Sequence, residues 1–179
     1  MRLFIGAMMP QEVQEKIRHL QKEIERKKLF TQDSGTQPRD AHLTLKFLGE
    51  VSEERAEEIK KKLGEIKELK VHSKVERVGA FDKDHIKIVW IKTPGFEILQ
   101  EAIDEKLKEL GISEEKRFMG HVTIARVKEY QRGKEEEIIR ELVTMKAGEE
   151  FQVKEYCLIK SVLKPSGPEY KILEKYKLG

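Results

Sequence analysis

The stretch Ala41-His42-Leu43-Thr44-Leu45-Lys46-Phe47-Leu48 reads as a β-strand, because Leu43 and Leu45 alternate with His42 and Thr44 and successive strand side chains point to opposite faces. A second strand, Met119 to Val127, repeats the pattern as His121-Val122-Thr123-Ile124. Each tetrad is His, apolar, Thr, apolar. With six Thr and five His in 179 residues, two such coincidences arise at random roughly once in a hundred sequences. A single strand His beside Thr is ordinarily a partly buried residue satisfied by hydrogen bonds. Two in matching contexts call for another explanation, and strand geometry supplies one. His and Thr project together while the intervening aliphatic residues anchor the strand in the core, so a rigid support presents an imidazole beside a hydroxyl.

Working outward, the segments around the two tetrads are comparable. Arg2 to Met8 is a strand with Leu3, Ile5 and Ala7 on one face. Pro10 starts a helix, and Val13, Ile17, Leu20 and Ile24 give it an apolar stripe through about Arg26. Thr31 to Asp40 is polar and turn-rich, a loop. Ser52 caps a second helix buried through Ala56, Ile59 and Leu63. Val71 to Gly79 and His85 to Lys92 flank the turn cluster Asp82, Lys83 and Asp84 as a hairpin. A third helix from about Phe96 to Leu110 has Ile98, Leu99, Ile103 and Leu107 on its apolar side and Gly111 at its end. After the second tetrad come a short helix, Glu135 to Val143, and two strands, Phe151 to Lys164 and Tyr170 to Leu178, around a Pro165 to Pro168 turn. Two comparable sets of strands and helices predict an internal duplication. The expected fold is α+β and bilobal, one domain over residues 1–179 with a groove between the halves.

Composition narrows the partners less than the motifs do. Charged residues are 39% of the chain, but the net charge is only +3, a weak preference for an anionic partner. No apolar run suits export or a bilayer, which predicts a cytoplasmic protein, and the expected state is a monomer. The lone Cys157 lies in an alternating segment and is expected to be a small buried residue. The absence of Asn and the abundance of Lys and Glu are a composition of hot environments, and predict a thermophilic source.

Paired imidazoles suit phosphodiester chemistry: one removes a proton from the attacking oxygen while the other protonates the leaving oxygen. The Thr44 and Thr123 hydroxyls can donate to the non-bridging oxygens as phosphorus becomes five-coordinate. This scheme needs no cofactor and no metal. A zinc site is disfavoured, since the tetrads lack the HExxH or Cys/His spacings and offer no third ligand nearby.

These tetrads, with the run Arg117-Phe118-Met119-Gly120-His121-Val122-Thr123-Ile124-Ala125-Arg126, resemble the 2H phosphoesterase superfamily and within it the RNA 2',3'-cyclic phosphodiesterase family, also called 2'-5' RNA ligase. The resemblance extends from Arg2-Leu3-Phe4-Ile5-Gly6 to the closing hairpin. It implies two pseudo-symmetric antiparallel sheets with helices outside and a central groove carrying both tetrads. It implies an enzyme that opens a terminal 2',3'-cyclic phosphate of RNA, tRNA fragments among the candidates, to a 2'-phosphate, with a related ATP-independent 2'-5' joining. It casts His42 as proton donor and His121 as proton acceptor. Gly120 stands where relatives often have proline, an expected loosening of that strand's entry. Competing readings are an RNA-binding module without turnover and a phosphodiesterase of small cyclic nucleotides or ADP-ribose cyclic phosphate.

An RNA end brings backbone phosphates, so cations are expected nearby. Lys46 shares the His42 and Thr44 face by alternation, and Arg117 and Arg126 flank the second tetrad. Arg126 has the parity of Val122 and Ile124, and so reaches the groove only if the strand twists or ends there. Phe81, Phe118 and Tyr130 are candidates for base stacking, with core packing the commoner role. His19, His72 and His85 lie outside the pattern.

Overall fold

The computed structural model describes residues 1–82 and 84–179. The chain begins with β1 (Arg2–Met8) and α1 (Gln11–Arg26), whose Val13, Ile17, Leu20 and Ile24 are all buried, as their spacing requires. The stretch expected to be a loop holds a four-residue strand, β2 (Gln32–Gly35), and a 3-10 turn at Pro38–Asp40. Every β2 side chain is exposed, so no apolar period announces it; only backbone pairing makes it a strand. The first tetrad lies on β3 (His42–Glu50), followed by α2 (Glu53–Leu63), where the Ser52 hydroxyl accepts the Arg55 amide at 3.2 Å.

The expected strand Val71 to Gly79 is two strands. β4 (Val71–Lys74) leaves to pair with β8 (Glu150–Val153) in a small second sheet, and β5 (Arg77–Phe81) forms the hairpin with β6 (Ile88–Lys92). Of its turn cluster, Lys83 lies outside the described residues. In α3 (Glu97–Lys108) the buried stripe is Leu99, Gln100, Ile103, Asp104 and Leu107, whereas Ile98, expected inside, is 69% exposed. The stripe contains two polar residues, which a reading by hydrophobicity passes over. β7 (His121–Glu129) carries the second tetrad, then come α4 (Glu135–Val143), β9 (Glu155–Lys164) and β10 (Gly167–Lys177).

The fold is thus α+β with antiparallel sheets. The large sheet runs β10-β9-β1-β3-β7-β6-β5, with β2 on the other flank of β7. It is two half-sheets meeting at the tetrad strands, where the antiparallel pairing of β3 with β7 has a single register pair, Leu43↔Val122. One face packs on the helices: Leu3, Ile5, Leu43, Leu45, Val122 and Ile124 enter a single core with the helical stripes. Each such aliphatic side chain stabilises by about 1.5–3 kcal/mol relative to exposure. The other face carries His42 and His121. No described helix is long and apolar enough to cross a membrane.

Candidate functional site

The tetrads sit at the seam of the half-sheets, and the antiparallel sense of the Leu43↔Val122 pair sets His42 on the side of Thr123 and Thr44 on the side of His121. The arrangement is an approximate two-fold. Each tetrad also ends in a β-bulge. Opposite β1, Gly6 pairs with Thr44 and Ile5 with Lys46, so Leu45 is an extra residue. Opposite β6, Trp90 pairs with Thr123 and Val89 with Ala125, so Ile124 is the extra one. The first bulge brings β3 against β1 so closely that a Cβ at Gly6 would lie 2.9 Å from the Leu43 carbonyl oxygen. The second is held by α1 and the segment after β2: the Gln21 carboxamide donates to Ile124 O at 2.9 Å, and the Thr36 amide bonds the same oxygen at 3.0 Å.

These bulges decide which side chains share the histidine face, because one extra residue reverses the parity of everything after it. Lys46, expected beside His42, points to the opposite face. It is 6% exposed, with Nζ 2.5 Å from Asp104 Oδ1 and 2.6 Å from the Ser113 carbonyl oxygen. Its place on the histidine side falls to Phe47, 71% exposed. By the same reversal Arg126, whose parity points into the core, is exposed on the histidine face while Ala125 is buried. Phe47 and Arg126 are therefore equivalent positions of the two halves.

The imidazoles are oriented identically. His42 Nδ1 lies 2.8 Å from the Asp40 carbonyl oxygen and His121 Nδ1 lies 2.7 Å from that of Met119, two residues upstream in both cases. A carbonyl only accepts, so each Nδ1 carries hydrogen and each neutral ring leaves Nε2 as a bare acceptor. Packing fixes the ring planes: Phe4 and Tyr170 lie 5.0 and 4.8 Å from His42, and Phe81 stands edge-on to His121 at 5.0 Å. Thr44 and Thr123 are half-buried, and among the described residues neither hydroxyl has a hydrogen-bond partner. Gly120 is no loosening: a Cβ there would be 2.4 Å from Thr93 O, and its carbonyl accepts the Thr93 amide at 2.9 Å.

Burial pushes the His42 pKa below its ordinary 6.5, with the nearby Arg126 charge acting in the same direction and the Asp40 carbonyl and carboxylate opposing it. The Tyr170 hydroxyl is pushed up by burial, and Arg126, Asp40 and Arg2 also act on it. Arg126 follows His121 in sequence, yet its charge acts on His42 and Tyr170.

Phe4, Phe47 and Tyr170 join the site without having been legible in the sequence. Of the aromatics named for stacking, Phe81 lies against His121, Phe118 packs on the core, and the Tyr130 hydroxyl accepts the Ile86 amide at 3.1 Å. Arg117 is exposed in the coil leading to β7, and its amide donates to Glu115. Cys157 is fully buried, and its thiol is pushed up to about 11 by burial. His19, His72 and His85 are exposed, off the histidine face. Among the described residues no three His, Cys, Asp or Glu side chains gather as a metal site. A concavity beside α3 has a predominantly acidic lining, Glu97, Glu101, Asp104, Glu105, Glu114 and Glu115 against Lys108 and Lys116, and so is poorly suited to phosphate.

A sequence model of the LigT like Phosphoesterase family matches residues 8–90 and 93–170. The RNA 2',3'-cyclic phosphodiesterase of Methanocaldococcus jannaschii is 32% identical over 98% of this chain and 100% of its own length. That of Archaeoglobus fulgidus is 33% identical over 99% and 100%. The crystal structure of TT0787 of Thermus thermophilus superposes with a TM-score of 0.81 at 28% identity, covering 99% of this chain and 97% of that one. The relatives include proteins of thermophiles, in keeping with the composition.

Proposed function

The chain belongs to the LigT-like phosphoesterases, in the group of RNA 2',3'-cyclic phosphodiesterases, and from that premise we propose that His42 and His121 open a terminal 2',3'-cyclic phosphate of RNA by paired proton transfer. The observation that carries this reading is the identical tethering of both rings through Nδ1, which leaves two Nε2 atoms on one face across the seam. His121 Nε2 takes a proton from water as the water oxygen bonds phosphorus. The bond from phosphorus to the 3'-oxygen breaks, and His42 Nε2–H protonates that oxygen, leaving a 2'-phosphate. The family resemblance assigns which histidine does which, since the two-fold makes them interchangeable by geometry.

Thr44 and Thr123 donate to the non-bridging oxygens, and Arg126 and Arg117 supply positive charge for the phosphate and the adjoining backbone. Phe47 offers an exposed aromatic surface at the same distance along its strand as Arg126, suited to the terminal base. Lys46 does not meet substrate. An open sheet face flanked by arginines favours an RNA end, including a tRNA fragment, over a small cyclic nucleotide. With the 5'-hydroxyl of a second RNA end in place of water, the same geometry yields a 2'-5' linkage without ATP.

The test is a short RNA bearing a 2',3'-cyclic phosphate, incubated with the protein in EDTA. The expected product is the 2'-phosphate, formed at the metal-replete rate. Activity that vanishes in EDTA and returns with a divalent ion refutes the two-histidine scheme, and a 3'-phosphate product reverses the leaving oxygen.

A further inference from the structure

Lys46 and Asp104 form a charged pair buried at 6% exposure on each side, and the pair with its partners spans three separate parts of the chain. Lys46 comes from β3, just past the His42 tetrad. Its ammonium bonds Asp104 on α3 and the Ser113 carbonyl in the coil that leads to β7. The second Asp104 oxygen accepts the Glu115 amide at 2.7 Å and the Gln100 carboxamide at 2.7 Å. Burial alone would push the Asp104 carboxyl up, but the Lys46 ammonium, the Glu115 amide and Gln100 together hold it below its ordinary value.

The coil so gripped is residues 112–120, which have no helix or strand. It ends with Met119, whose carbonyl holds His121 Nδ1, and Gly120. Between the Ile112 amide, bonded to Leu107, and the Gly120 carbonyl, bonded by Thr93, its only backbone bonds to other parts of the chain among the described residues are those of Ser113 and Glu115 to Lys46 and Asp104, apart from the histidine tether itself. A coil that lacks regular pairing keeps its shape only through such side-chain anchors.

We propose that Lys46 is a positioning residue for His121: from the strand of one tetrad it anchors the coil that sets the ring of the other. Its charge is satisfied entirely inside the protein, so it acts without touching RNA. This rests on the two-histidine reading for its effect on rate, while its effect on the His121 ring is independent of activity.

The experiment uses Lys46→Met and the double variant Lys46→Met/Asp104→Leu. Lys46→Met strands a buried carboxylate and is expected to lower Tm; the double variant removes that charge and recovers most of the loss. The coil loses its Lys46 anchor in both, and in the double variant the Asp104 bond to Glu115 as well, so kcat on the cyclic-phosphate RNA falls tenfold or more in both, with KM within threefold of the parent. Long-range nitrogen–proton spectra of the imidazoles show the Nδ1–H tautomer at both histidines in the parent protein. In Lys46→Met, which keeps the Asp104 carboxylate that bonds Glu115, a population of the Nε2–H tautomer appears at His121 while His42 is unchanged. A double variant whose kcat recovers along with its Tm, or a Lys46→Met variant whose His121 tautomer matches the parent, overturns the proposal. A changed His121 tautomer in a protein whose parent has no activity on this RNA would uphold the positioning role and overturn the substrate assignment.

Discussion

Replacing Gly120 by Ala probes the seam at the residue that leads into His121. The added Cβ would lie 2.4 Å from Thr93 O and 3.4 Å from Leu43 Cδ1. The Leu43 contact is ordinary, but the carbonyl must retreat by about 1 Å to reach normal van der Waals distance. That carbonyl belongs to backbone, so β6 and the entry of β7 must part and the Thr93–Gly120 hydrogen bond of 2.9 Å is stretched or lost. Overpacking costs about 1–3 kcal/mol and a buried amide left without its partner about another 1–3 kcal/mol. At roughly 2–4 °C per kcal/mol for a chain of this size, Tm is expected to fall by about 5–20 °C. The displacement also moves the Met119 carbonyl and the His121 ring, and a misplacement of about 1 Å is enough to lower kcat by about a hundredfold. The assays are thermal unfolding and kcat on cyclic-phosphate RNA, with Ile98→Lys as a control at an exposed site that leaves both unchanged. A Gly120→Ala variant with Tm within about 2 °C of the parent and undiminished kcat would refute the argument from close approach.

Two further expectations concern the residues brought to the histidine face by the bulges. Phe47→Ala and Arg126→Gln each raise KM for RNA about tenfold or more, with little change in Tm because both side chains are exposed, and only Arg126→Gln lessens the salt dependence of binding; unchanged KM in both removes them from the RNA surface. Because burial lowers the His42 pKa, its protonated form is lost as pH rises through a value below 6.5, which a titration of the His42 imidazole should record. Removing the Arg126 charge should raise that value, since the arginine acts to lower it; a His42 imidazole that titrates at or above 6.5 in the parent protein, or is unmoved in Arg126→Gln, contradicts this account of the His42 surroundings.

Alternation reveals the strands that carry the tetrads because Leu43, Leu45, Val122 and Ile124 are all core residues, and burial of a repeating apolar set is what fixes strand register. It fails beyond them for a related reason. Once Leu45 and Ile124 are bulged, parity reverses, so simple alternation puts Lys46 on the wrong face, leaves Arg126 conditional and passes over Phe47. A clue is present in the aligned runs Leu45-Lys46-Phe47 and Ile124-Ala125-Arg126, where the middle position holds a small apolar residue in one half. β2 is hidden because all its side chains are exposed, and the stripe of α3 because Gln100 and Asp104 are buried in the network that holds Lys46. Phe4 and Tyr170 reach His42 across strands distant in sequence, which local pattern does not encode. The imidazole tethers to Asp40 and Met119 likewise depend on backbone shape just ahead of each tetrad.

The central claim, that one imidazole gives and the other takes a proton, is tested most directly with a cyclic phosphate whose 3'-bridging oxygen is replaced by sulfur. The departing thiolate is far less basic than an alkoxide and needs little protonation, so the general acid becomes nearly dispensable. On the ordinary substrate both His42→Ala and His121→Ala are expected to lose orders of magnitude in kcat. On the thio substrate His42→Ala should regain most of that loss, while His121→Ala, whose attacking water still lacks a base, should remain slow. Rescue of His121→Ala alone would reverse the two roles, and rescue of neither would contradict proton transfer by the pair.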